Sequence, residues 1–168
     1  MKSIMLTFIA SVITLITFAQ NDKLYKHDGE VQDVKIVKVN EYTISYTFPG
    51  ETAEQMIGKY AVAKIGYASG RSEEISGKVS VSGAADWDKV MVIEDKGAIL
   101  GLKKMGEVRG KTSGIIGFHT AGSADKKSMK KLKEAAAEMG ASFVLITSEK
   151  DNQFTTQSIK RGFGYSYK

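Results

Sequence analysis

Residues 125–146, DKKSMKKLKEAAAEMGASFVLI, decide the fold of the C-terminal half. Apolar side chains recur there at helical spacing on one stripe, which consists of Met129, Leu132, Ala135, Ala136 and Met139. Asp125 is suited to capping the start of this helix and Gly140 to ending it. The apolar run of residues 143–146 follows at once. The stretch therefore predicts a helix over residues 125–139 and then a buried strand.

Extended segments surround this helix in the C-terminal half. Residues 89–94 contain an uninterrupted Val-Met-Val-Ile core, residues 99–109 form a second extended segment, and residues 159–167 form a final strand. Together with the strand after the helix, the order is β-β-α-β-β. This order predicts an α+β module over residues 86–168, with an antiparallel or mixed sheet and one helix on a face.

The N-terminal half reads as strands and tight turns. Residues 31–39 form a β-branched run, and Tyr42, Ile44, Tyr46 and Phe48 alternate with polar residues. Shorter strands are expected within residues 61–75. This spacing predicts a small, strongly bent, barrel-like module over residues 20–75. Residues 76–85, SGKVSVSGAA, are small, polar and glycine-containing, which is typical of a linker.

The first 19 residues have the pattern of a secretory signal peptide. Lys2 precedes a long apolar run, and Ala19 provides a small residue at a cleavage position before Gln20. The run is short for a membrane span. Cleavage after Ala19 would leave 149 of the 168 residues and lower the net charge from +5 to +4. Because Gln20 rather than Cys would then come first, we expect no lipid anchor and a soluble product in the periplasm or outside the cell.

The composition is that of an ordinary globular protein and excludes few functions. The chain is 42% hydrophobic and 26% charged, which is ordinary for a globular protein, and it contains no cysteine. An exported chain of this kind is held together by its core rather than by disulfides. The small positive charge does not indicate nucleic-acid binding, although it favours attraction to anionic surfaces.

Two stretches resemble known families. Residues 23–75, with LYKHDG at 24–29 and AKIGYASG at 63–70, resemble a β-rich module of exported bacterial proteins. Residues 87–168 resemble the YbjQ-like fold, which includes heavy-metal-binding proteins and the outer-membrane lipoprotein that senses stress for the Rcs phosphorelay. The matching residues are GL at 101–102, GEVRG at 106–110, AAAEMGA at 135–141 and GFGY at 162–165. The resemblance implies this fold, but the chain lacks the Cys pair and the lipid anchor of the stress sensor.

The sequence offers no convincing catalytic, metal or cofactor motif. A transition-metal site needs several converging ligands, whereas His27 and His119 lie in different halves without a second His or Cys nearby. Ser113, His119 and Asp125 could be written as a triad, but a loop rich in Ser and Gly produces such combinations by chance. Residues 162–164, GFG, lack the third Gly and the helix of a dinucleotide fingerprint.

The predicted helix carries a basic polar side, which is the one surface feature the sequence offers as a partner site. Its members are Lys126, Lys127, Lys130, Lys131 and Lys133, named here the helix lysines. A solvated helix face explains them simply. Alternatively, they form a surface for an acidic protein or an anionic part of the envelope. The neighbouring cations would extend this surface only if the fold places them on the same side; they are Lys103, Lys104, Arg109 and Lys111.

We therefore expect an exported, non-enzymatic binding or structural protein of the bacterial cell envelope. An enzyme or small-ligand carrier is the alternative, with a pocket near the loop of residues 110–122. An exposed subset of the aromatic side chains in the first half could also form a ligand surface, although most should pack in the core or across strands.

Overall fold

The computed structural model describes residues 21–112, 121–152 and 157–167. In this part the chain forms two sheets and one α-helix, so the protein is a mainly β member of the α+β class. The expected signal peptide lies outside these residues, as do Ser113 and His119. None of the described helices is long and apolar enough to cross a membrane.

The first sheet is open and has six strands in the order β4-β3-β2-β1-β5-β6, each antiparallel to its neighbours. The strands are β1 (Asp22–Lys26), β2 (Val31–Val39), β3 (Thr43–Thr47), β4 (Glu54–Gly58), β5 (Val62–Gly66) and β6 (Ser72–Glu74). The expectation of a barrel-like module is wrong, because β4 and β6 end the sheet without pairing to each other. The tight turns expected from local sequence are present, with Gly29 and Gly70 at positive φ.

The second sheet is mixed and has the order β7-β9-β10-β8. Its elements are β7 (Met91–Ile93), β8 (Lys103–Lys111), α1 (Ala121–Glu138), β9 (Phe143–Asn152) and β10 (Gln157–Ser166). Only β7 runs parallel to its neighbour β9, and the other pairs are antiparallel. Short 3-10 helices span Lys59–Ala61, Ala84–Lys89 and Lys96–Ile99. The expected order of elements and the mixed sheet are confirmed.

The helix α1 packs on one face of the second sheet. Leu132 and Ala136 are fully buried, as the apolar stripe predicts, and Ser128 continues this buried line one turn earlier. The helix ends at Glu138, and Gly140, which has φ +73°, turns the chain away from the helix axis. The amide of Gly140 donates to the carbonyl of Ala137 (3.0 Å) and that of Ala141 to Ala136 (2.9 Å), so the last carbonyls are satisfied as in a Schellman motif.

The opposite face of the second sheet contacts the first sheet. Phe143 and Leu145 on β9 belong to the same apolar cluster as Leu24 and Ile65 of the first sheet. At its rim, the rings of His27 and Tyr167 lie 4.9 Å apart between centroids. The two sheets therefore share one core, while a second apolar cluster lies beneath α1.

The segment of residues 76–85, expected as a linker, is held against both halves. The hydroxyl of Ser76 donates to the carbonyl of Val62 (2.8 Å) on β5. The amide of Val79 donates to the hydroxyl of Tyr167 (2.9 Å) in the C-terminal half. The segment crosses the boundary between the sheets at the edge of their shared core. Whether the halves fold separately remains a prediction.

Candidate anion-binding face

Positive charge is concentrated on the face of the second sheet that is turned away from α1, at exposed positions outside the core that this face shares with the first sheet. On β8, Gly110 faces the helix so closely that an added Cβ would lie 1.9 Å from the carbonyl oxygen of Ser128. Val108 is buried on the same side. Because side chains alternate along a strand, Arg109 and Lys111 point to the other face, where both are exposed.

Pairing with β10 and β9 adds further cations to this face. Arg161 lies directly opposite Arg109 in the antiparallel ladder. One row further along, Ile159 lies between Lys111 on β8 and Lys150 on β9. Residues that oppose each other in a ladder share a face, so these four cations project from the same surface. Arg161 and Lys150 are both exposed.

Lys104 places a fifth cation on this face. It pairs with Tyr165, and its Nζ lies 3.3 Å from the centroid of the Phe163 ring. The exposed Met105 lies at a register shift beside it. The name basic face is used here for the five cations together, Lys104, Arg109, Lys111, Lys150 and Arg161.

The geometry of the basic face favours oxyanions. Directly opposed Cβ atoms in a ladder lie about 5 Å apart, and alternate residues along a strand lie about 7 Å apart. Glu107 is the acidic residue that this register places beside them, and no ion pair of Arg109 or Arg161 occurs within the described residues. Like charges opposite each other destabilise a sheet. A bound phosphate, sulfate or carboxylate would relieve this repulsion, and the guanidinium fork suits such groups.

The helix lysines lie on the other side of the sheet. Lys126, Lys127, Lys130 and Lys131 are exposed, whereas Lys133 is half-buried. The Nζ of Lys130 lies 3.7 Å from Glu134 and 4.9 Å from the centroid of the Trp87 ring. Lys104, Arg109 and Lys111 therefore do not extend this surface, since the sheet separates them from it.

Sequence reasoning identified only part of the basic face. The alternation of Glu107, Arg109 and Lys111 was visible locally as a charged period of two. Nothing local showed that Arg161 would lie opposite Arg109. That juxtaposition depends on the register between β8 and β10, which are separated by the helix and β9.

Asp125 has a structural partner rather than the expected capping role. The helix begins at Ala121, so Asp125 lies inside it, where its carboxylate contacts the Nζ of Lys160 at 2.7 Å. Glu149 contacts the same Nζ at 3.0 Å. Burial by itself would lower the pKa of Lys160, but the hydrogen bonds to the two carboxylates outweigh it and raise the pKa. Lys160 therefore links α1 to the sheet through two ion pairs.

Buried hydroxyls near Asp125 also satisfy one another. The Oγ atoms of Ser128 and Ser158 lie 2.8 Å apart, and the amide of Ser158 donates to Oγ1 of Thr112 at 3.0 Å. The Oγ of Ser128 also donates to the backbone carbonyl of Asp125 at 2.8 Å, so these hydroxyls are engaged in hydrogen bonds within the described ranges. The triad considered from sequence cannot be traced, because Ser113 and His119 lie outside those ranges.

His27 lies between the two halves. Its Nε2 is 2.9 Å from the Oγ of Ser76, and its ring packs against Tyr167. Burial lowers the pKa of His27 below its ordinary value, and the nearby Lys78 adds to this effect. The described residues contain no group of three or more His, Cys, Asp or Glu side chains placed to hold a metal ion. The contacts of His27 with Ser76 and Tyr167 make it part of the packing between the sheets.

Comparisons with family models, with curated proteins and with solved structures find no match for this chain.

Proposed function

We propose that this chain is an exported, non-enzymatic binding protein of the bacterial cell envelope and that the basic face binds an anionic partner. The direct opposition of Arg109 and Arg161 supports the proposal most strongly. Two guanidinium groups on neighbouring strands, without a carboxylate partner in the described region, cost stability that a bound anion would restore.

The secretory pattern of residues 1–19 supports export. In an envelope, anionic groups occur on lipid headgroups, on polysaccharides and on acidic proteins. The basic face is built on strands, so its cations have fixed spacing and little backbone entropy is lost on binding. This rigidity favours a partner that carries several anionic groups.

The helix lysines are the second candidate surface, because four of the five are exposed. Lys130 already has a carboxylate and an aromatic ring as neighbours, so its charge is partly engaged within the chain. The alternative is an enzyme or small-ligand carrier that uses Ser113, His119 or Asp125. Of these, Asp125 has its carboxylate 2.7 Å from the Nζ of Lys160, and the other two lie outside the described residues.

Two charge-matched variants distinguish the surfaces. Arg109→Gln/Arg161→Gln removes two charges from the basic face, and Lys126→Gln/Lys127→Gln removes two from the helix. The mature protein, residues 20–168, would be titrated with polyphosphate, polyglutamate and phosphatidylglycerol vesicles at low and physiological salt. We expect the first variant to lose binding and the second to bind like the parent. The reverse pattern would assign the partner to the helix, and no salt-dependent binding to any probe would contradict the proposal.

A further inference from the structure

Gly66 in β5 has no packing reason to be glycine. Gly58, Gly110, Gly162 and Gly164 also lie in strands, but an added Cβ there would come within 2.3, 1.9, 2.4 and 2.9 Å of a neighbouring atom. Gly106, where the nearest atom is 3.6 Å away, faces the side chain of Met139 beneath the helix. At Gly66 the nearest atom is Cε2 of Tyr25 at 3.4 Å, and its φ lies outside the left-handed region. A glycine inside a strand weakens the sheet and marks a bulge or a close approach by a backbone or ligand.

The missing side chain opens a groove on the solvent side of the first sheet. Its volume is about 410 Å³. Around Gly66 it is lined by Asn21, Lys23, Tyr25, Asp33 and Tyr67. Lys23 lies between Asp33 and Gly66 in the ladder, so the groove follows one row of side chains across β2, β1 and β5.

Two tyrosines flank this groove, and each has a cation over its ring. The Nζ of Lys64 lies 4.7 Å from the Tyr25 centroid, and the guanidinium carbon of Arg71 lies 4.0 Å from the Tyr67 centroid. The hydroxyl of Tyr67 donates to Glu73 at 2.9 Å. Burial and this carboxylate raise the pKa of Tyr67, so its hydroxyl keeps its proton. The rings are thus held in position beside a polar floor.

The charges of the groove are balanced, in contrast to those of the basic face. Lys23 contacts Asp33 at 3.2 Å, and Arg71 contacts Glu73 at 3.0 Å. A net-charged ligand would have to break one of these pairs. A neutral ligand rich in hydroxyl groups could instead accept from Lys23, donate to Asp33 and lie along the edge of an aromatic ring.

We propose that this groove binds a neutral saccharide, with Tyr25 and Tyr67 as its walls and the Lys23–Asp33 pair as its hydrogen-bonding floor. The site is on the first sheet and does not depend on the basic face of the second. Gly66 then provides the space that one sugar ring occupies.

Replacing Gly66 tests this directly. Gly66→Val fills the groove with a residue that suits a strand, and the milder Gly66→Ala adds a single methyl group. Tyr25→Ala removes one wall, and Tyr42→Ala, at an exposed tyrosine (43% accessible) outside the groove, is the matched control. Binding of cellotetraose, maltotetraose, chitotetraose and mannotetraose at millimolar concentration would be followed by amide chemical shifts, with circular dichroism to confirm folding.

We expect at least one of these neutral tetrasaccharides to shift the amides of residues 23–25 and 66–68. Gly66→Val and Tyr25→Ala should weaken that binding at least tenfold, Gly66→Ala should weaken it less, and Tyr42→Ala should leave it unchanged. Absence of shifts with all four sugars would overturn the proposal, as would undiminished binding by a folded Gly66→Val.

Discussion

Arg161→Glu should stabilise the fold, because it replaces a repulsive cross-strand pair by an attractive one. At a separation of about 6 Å in water, two unit charges interact by about 0.7 kcal/mol. Reversing one sign therefore changes the free energy of unfolding by about 1.4 kcal/mol at low salt. On β8 the diagonal neighbours Lys111 and Glu107 carry opposite charges, so their effects on position 161 largely cancel, whereas the diagonal neighbour Lys150 on β9 adds attraction to a carboxylate there. At physiological ionic strength the Debye length of about 8 Å reduces the gain to about 0.7 kcal/mol.

Thermal unfolding at two salt concentrations measures this gain. For a chain of this size we expect Tm to rise by about 4 °C at low salt and about 2 °C at physiological salt. Arg161→Gln should give about half of each increase, since it removes the repulsion without adding attraction. The double variant Arg109→Glu/Arg161→Glu should lose the gain, because two carboxylates then face each other. A lower Tm for Arg161→Glu, or a gain that does not respond to salt, would refute the reasoning.

Three further predictions concern the core, the histidine and the two halves. Leu132→Ala, at a fully buried position, should lower the free energy of unfolding by about 2–5 kcal/mol in urea titration, whereas Lys130→Ala, at an exposed position, should lower it by less than about 1 kcal/mol. Equal losses would show that the helix faces are misassigned. Burial lowers the pKa of His27 below 6.5, so near that pH the unfolded chain binds more protons than the folded one, and the free energy of unfolding should be fully present above pH 6.5 and fall as the pH drops below it. His27→Gln should flatten this dependence, and a dependence that persists in the variant would show that another group causes it. The fragment of residues 86–168 keeps the cluster beneath α1 and should unfold cooperatively, but at a lower Tm than the whole chain because Phe143 loses its contacts with the first sheet. An equal Tm would mean that the shared core contributes nothing to stability.

Local patterns were sufficient where a single element determines the outcome. The stripe containing Leu132 and Ala136 predicted the buried side of α1, and Gly140 predicted its end because a positive φ is required there. The start of the helix could not be predicted in the same way. Asp125 has the chemistry of a cap, but a tertiary ion pair with Lys160 uses its carboxylate instead.

Features that depend on pairing between distant segments could not be predicted from local sequence patterns. Alternation in residues 42–48 predicts a strand, but it does not show which strands form the edges of the sheet. The sequence therefore predicts a barrel-like module where the structure has an open sheet. The basic face has the same origin. The sequence indicates Arg109 only as one cation near the helix, and it is the register with β10 that places Arg161 opposite it.

The most direct test of the account is to map where polyphosphate binds residues 20–168 by amide chemical shifts, at low salt. The account predicts that the largest shifts occur in β8 and β10 around Arg109 and Arg161, and that they disappear in Arg109→Gln/Arg161→Gln while persisting in Lys126→Gln/Lys127→Gln. Shifts confined to α1, or shifts that survive the loss of both arginines, would contradict the claim that the basic face is the binding surface.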